Sequence, residues 1–146
     1  MLSSAKEFPM KRHWLALIAP ILLTGCLGVN STSSPKDSFT VPVSFQEVFD
    51  RAKAQAKECW SAGGEFPVKS SLDQASGTAR VWVTGILGST PYAQVDIRAL
   101  GDRSTEVVAM VSGINMWSRA SLAALHEVME FGVPTCSSYM PRATPR

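Results

Sequence analysis

Residues 92–100 alternate apolar and polar side chains, and no other feature limits the possible folds as strongly. Ala93, Val95, Ile97 and Ala99 fall on one side of an extended chain, with Tyr92, Gln94, Asp96 and Arg98 on the other. A period of two marks a strand with one face buried and one face wet. Similar runs flank it: Glu65 to Leu72, Thr78 to Thr84 and Thr105 to Ser112. Asp73-Gln74-Ala75-Ser76-Gly77 and Gly101-Asp102-Arg103 read as tight turns, and Gly85-Ile86-Leu87-Gly88-Ser89-Thr90-Pro91 as a longer break. Connections this short join antiparallel neighbours.

Helices bracket these strands. Ser44 and Glu47 have capping-box spacing, with Val43 and Val48 placed as a hydrophobic staple. Phe45, Val48, Phe49, Ala52, Ala56, Cys59 and Trp60 then recur at helical spacing until Gly63-Gly64 stops the helix. Glu47, Asp50, Arg51, Lys53 and Lys57 fall on other faces and read as solvated. A second helix is expected from Asn115 to Phe131, with Trp117, Ala120, Ala124, Leu125 and Val128 as its buried stripe and Gly132 and Pro134 as its stop. Ahead of the first helix, Phe39, Val41 and Val43 alternate around Pro42, which confines that short strand to a sheet edge. The expectation is an α+β fold: a single small domain over residues 39–136, with about four antiparallel strands, a short edge strand and two helices on one face.

The N-terminal segment has a different character. Lys11, Arg12 and His13 precede a mostly apolar run from Trp14 to Leu23, and Leu23-Thr24-Gly25-Cys26 closes it. This is the charged, apolar, small-residue order of an export signal. It is about half the length of a spanning helix, and Pro20 interrupts it. The segment resembles the signal peptide and lipobox of bacterial lipoprotein precursors. That resemblance implies cleavage before Cys26 and a diacylglycerol, joined as a thioether, on the Cys26 thiol. Residues 1–25 are then the signal peptide, with Met10 as an alternative start, and 26–38 a lipidated N-terminus and flexible tether. Residues 137–146 read as a C-terminal tail. Leu27, where an aspartate would retain such a protein at the inner membrane, implies the outer membrane with the domain in the periplasm. Two or more acyl chains, palmitate among them, anchor a protein stably where one does not. The element order over 39–136, together with the anchor, resembles the helix-grip domains of the BamC-type lipoproteins of the outer-membrane β-barrel assembly machinery.

Charge and cysteines are read in that light. The whole chain has 14 basic and 12 acidic side chains. Residues 1–25 hold Lys6, Lys11 and Arg12 against Glu7, so the remainder is balanced. It has no basic stripe of the kind nucleic acid requires. Cys59 and Cys136 remain beside the lipidated cysteine. An oxidising compartment favours a disulfide between them over a reactive thiol, since Cys59 lies beside Trp60 without a basic neighbour. Closing the long loop between them is worth roughly 4.5 kcal/mol on the chain-entropy model.

Catalytic signals are thin, and no catalytic, metal-binding or cofactor-binding residue is expected. His126, with Glu130 one turn on, supplies at most two metal ligands, and reads instead as a histidine paired with a carboxylate. No nucleophile elbow occurs. Gly85-Ile86-Leu87-Gly88 lacks the lysine and hydroxyl of a phosphate loop. Asp96 and Arg98 read as sheet-surface charges.

The sheet's second face carries the functional expectation. With Val81, Val83, Val95, Ile97, Val107, Ala109 and Val111 turned to the helices, Arg80, Trp82, Tyr92, Val108 and Met110 face away. Ile86 and Leu87 extend that patch. Such a surface suits recognition. The leading expectation is a non-catalytic accessory or scaffold subunit that is held on the membrane by its lipid and docks an envelope protein or a second copy of itself. A small-ligand binder using the helix–sheet cleft is the alternative, and an enzyme comes third.

Overall fold

The computed structural model describes residues 28–30 and 32–138. The lipobox and Cys26, and the tail beyond 138, lie outside the described residues. Five strands and two helices follow one another as β1 (Lys36–Val41), α1 (Phe45–Gln55), β2 (Val68–Asp73), β3 (Thr78–Thr84), β4 (Pro91–Gly101), β5 (Ser104–Val111) and α2 (Arg119–Phe131). The strands form one antiparallel sheet in the order β1-β5-β4-β3-β2. Both helices pack on one face, α1 over β3 and β4, α2 over β1 and β5, and against each other. The fold is α+β, as the patterning predicts. Among the described residues no helix is long and apolar enough to cross a membrane.

The inner face of the sheet is the one the alternation marks. Val81, Val83, Val95, Val107, Ala109 and Val111 have no exposure at all, and Ile97 almost none. Val41 of β1 joins them, and Val48, Ala52, Trp60, Leu125, Val128 and Met129 close over them from the helix side. β-branched residues dominate the sheet side because they suit a pleated surface at little rotamer cost.

Helix α1 begins at Ser44, whose side chain accepts from the Glu47 amide at 3.4 Å. Only half of the capping box forms, because the Glu47 carboxylate pairs with Arg51 instead. The helix widens into a π-helical turn, Ala56–Trp60, which buries Ala56 and Trp60 together, before a 3-10 turn at Ala62–Gly64. Arg51 is not simply solvated. Its Nη1 donates to the carbonyls of Met129 (2.6 Å) and Glu130 (3.1 Å), capping the C-terminus of α2. Gly132 ends α2 in the left-handed region at φ 79°.

Three boundaries differ from the sequence reading. β2 begins at Val68, because Pro67 precedes it and the Phe66 amide bonds back to Ser61 at 2.9 Å. Helix α2 begins at Arg119. Asn115 takes a left-handed φ of 49°, and Ile114 and Trp117 close a small turn that presents Trp117 to the core. Parts of the stretch read as tether meet the sheet. Val29 donates to the Pro91 carbonyl at 2.7 Å, the Asn30 side chain accepts from the amides of Thr32 and Ser33, and β1 starts at Lys36.

The two cysteines meet. Their sulfurs are 2.10 Å apart and their Cα atoms 5.1 Å apart, joining the end of the π-helical turn to the segment after α2. That pairing fastens the C-terminal strap to α1.

Candidate functional site

The face of the sheet away from the helices is uncovered by any described element, and its side chains form three cross-strand rows. One row runs Lys36, Met110, Gln94, Trp82, Lys69. The next runs Ser38, Val108, Asp96, Arg80, Ser71, and the third Thr40, Glu106, Arg98, Thr78, Asp73. The register thus sets Met110 and Trp82 in the first row with Lys36 and Lys69 at its edges, and Asp96, Arg80, Glu106 and Arg98 in the other two.

Four of the charges pair across strands. Arg80 Nε donates to Asp96 at 2.5 Å, and Gln94 Nε2 donates to the other Asp96 oxygen at 2.7 Å. Arg98 Nε donates to Glu106 at 2.9 Å. Asp96 and Arg98, two apart on β4, each pair with a neighbouring strand and not with each other. Exposed pairs of this kind contribute about 0–1 kcal/mol each, so they order the surface more than they stabilise it. At the edge of the face, hydrogen bonds from the Ser76 side chain and amide hold the Asp73 carboxyl below its ordinary pKa.

Beside the paired charges lies an open basin of about 820 Å³, lined by Trp82, Arg80, Gln94, Asp96, Val108 and Pro91 among others. Trp82 and Met110 are half-buried, so each presents part of its surface outward. Lys36 and Lys69 stand at the two edges of their row and are exposed. Of the five residues expected on this face, Arg80, Trp82, Val108 and Met110 are there.

Tyr92 is not. Val83 pairs with Ala93 but Thr84 pairs with Pro91, so the ladder carries an extra residue at Tyr92. That bulge turns the ring away from the open face and against the core. Tyr92 stacks on Trp117 with ring centres 4.5 Å apart and planes 9° from parallel, and Phe66 meets both rings edge-on. The Trp117 indole donates to the Trp60 carbonyl at 3.3 Å. Tyr92 therefore belongs to a structural aromatic cluster. The break in the strand pattern at Gly85–Pro91 leaves room for this shift of register without marking where it falls.

His126 sits on the helix side. Its ring stacks on Phe39 at 3.9 Å, with Nε2 3.4 Å from Glu130 and Nδ1 3.7 Å from Asp37. The Asp37 approach comes from β1 and is not visible from helical spacing. Among the described residues no group of three or more His, Cys, Asp or Glu is placed to hold a metal ion.

No family model matches the chain, and no curated protein matches it. Among solved structures it is similar to a TBP-like protein from Parabacteroides distasonis, at 15% identity and a TM-score of 0.33, over 57% of this chain and 58% of that one. The alignment thus spans little more than half of either molecule.

Proposed function

We propose that this chain is a lipoprotein held on the outer membrane through Cys26, and that its periplasmic domain is a non-catalytic accessory subunit that docks an envelope protein on the open sheet face. One observation supports the docking reading above the others. Trp82 and Met110 lie half-exposed between exposed Lys36 and Lys69, beside the paired charges of Arg80 with Asp96 and Arg98 with Glu106. Aromatic and methionine side chains beside a polar rim are the residue types that dominate protein interfaces. Paired charges also lower the desolvation cost of covering that face, because the partners stay satisfied when water leaves.

The cleft-binding alternative has less behind it. The space between helices and sheet is filled by Trp60, Gln55, Leu125 and Met129, all without exposure. A ligand there would have to displace packed core. The resemblance to helix-grip lipoproteins agrees with a binding role and adds no residue to it.

The test is site-specific photo-crosslinking in cells, with the photoreactive residue placed at Ser38, Ser71 or Met110 on the open face, or at Asp50 on α1. A discrete adduct from the open-face positions alone, lost on Trp82→Ala, is the expected result. Adducts of equal yield from Asp50, or none from the open face of a folded and anchored protein, would overturn the docking reading.

A further inference from the structure

The described chain begins, two residues after Cys26, at the end of the sheet that carries an exposed apolar loop. The loop between β3 and β4, residues 85–90, carries Ile86 at 67% exposure and Leu87 fully exposed. It contains no charged residue. The start of the described chain lies against it. Val29 donates to the carbonyl of Pro91 at 2.7 Å. Gly28 lies so close to Thr90 that a Cβ there would stand 2.1 Å from the threonine methyl. Gly28, Phe66, Tyr92 and the loop itself line one concavity.

Covalent geometry then limits where Cys26 can be. Two trans peptide steps separate its Cα from that of Gly28, a span of at most about 7.6 Å. An acyl group on Cys26 lies in the membrane, so Gly28 and the loop packed on it lie at the headgroup level. A fully exposed leucine held there has one apolar phase within reach.

The rest of that end agrees. β5 finishes on the same side, and the turn after it exposes Ile114 and Met116 in part. The Ser112 amide bonds the Tyr92 carbonyl at 2.7 Å, and Gly113 packs on Pro35, so this second turn is fixed beside the first segment. Lys36 and Lys69 stand in the row of the open face closest to this end, where anionic headgroups would meet them. The opposite end of the sheet closes in turns that carry Asp73, Asp102 and Arg103. Leu100 and, in part, Leu72 are exposed at that far end, each followed within three residues by an aspartate.

We infer that the Ile86–Leu87 loop inserts into the leaflet that holds the lipid on Cys26, making a second contact with the membrane. The domain then stands with its sheet end against the bilayer, and the open face is turned sideways along the membrane plane. This rests on the lipoprotein reading of Cys26. It goes beyond that reading because a lipid on a tether fixes no orientation, whereas two contacts do.

The experiment uses the full lipidated protein in vesicles of three parts phosphatidylethanolamine to one part phosphatidylglycerol. An environment-sensitive fluorophore is attached at Leu87→Cys, at Ser89→Cys with Ile86 and Leu87 intact, or at Asp102→Cys at the far end. Acyl chains carrying a shallow spin label should quench the probes at 87 and 89 several-fold, with emission shifted to the blue. The probe at 102 should behave as in water. Aqueous emission without quenching at 87 and 89, in protein whose N-terminal peptide mass shows acylated Cys26, overturns the insertion and leaves the anchor standing. A mass showing Cys26 without lipid overturns both.

Discussion

Gln55, which has no exposure, bonds both backbone groups of Thr135 across 80 residues of chain. Its Nε2 donates to the Thr135 carbonyl at 2.7 Å, and its Oε1 accepts from the Thr135 amide at 3.2 Å. The side chain imitates a strand partner for one residue, and Cys136 follows directly. A buried amide is tolerable because every group it brings in finds a partner.

Gln55→Leu removes both bonds and strands two backbone groups. The expected cost is about 1–3 kcal/mol, the range for leaving a buried polar group unsatisfied. Urea unfolding at constant slope checks it. A loss under about 0.5 kcal/mol would mean that water reaches Thr135 once the side chain is gone.

The disulfide holds the same strap. Cys59 and Cys136 are separated by 77 residues, for which chain entropy allows roughly 4.5 kcal/mol. Reduction should lower the melting temperature markedly, and the unreduced, denatured protein should titrate no free thiol from this pair. Because Gln55 and the disulfide restrain adjacent residues, the combined variant Gln55→Leu with Cys136→Ser should cost less than the two single losses added together.

Tyr92 and Trp82 separate structure from surface. Tyr92 is stacked on Trp117 and packed on the core, so Tyr92→Ala should cost about 2–4 kcal/mol. Trp82 lies on the open face, and Trp82→Ala should cost under about 1 kcal/mol while removing partner capture. Unfolding curves for the two variants distinguish them. Equal losses would mean that Trp82 is part of the fold's packing.

The elements were legible wherever local pattern and tertiary demand coincide. β3 spans Thr78–Thr84 as its alternation marks, and Gly132 stops α2 where a left-handed residue is needed. What was not legible depended on partners distant in sequence. The bulge that turns Tyr92 inward is set by the pairing of Val83 and Thr84 with β4, and a single strand's alternation carries no trace of it. Arg51 looks like any solvated helix charge until the end of α2 arrives beside it. Gln55 did leave a signal, because it sits three residues after Ala52 and four before Cys59, on the apolar stripe of its helix. A polar residue on such a stripe implies a buried partner. The open face was legible in outline, since the same alternation that buries Val95 and Ile97 exposes Asp96 and Arg98.

Gly132 and Arg51 form the last testable pair. Gly132 has φ 79°, where an L side chain is strained by about 1 kcal/mol. A Cβ at this position would also stand 3.1–3.2 Å from the Arg51 guanidinium, close enough to push it off the carbonyls of Met129 and Glu130. Gly132→Ala should therefore cost about 2 kcal/mol, the strain plus part of the lost cap. Arg51→Ala should cost about 1–2 kcal/mol through the cap and the packing of its stem. In the double variant the steric part disappears, because the guanidinium is no longer there to be displaced, and only backbone strain is added to the loss of Arg51. The two single losses measured by urea unfolding should thus exceed that of the double variant by about 0.5–1 kcal/mol. Strict additivity would show that the guanidinium moves aside freely and that strain at Gly132 acts alone.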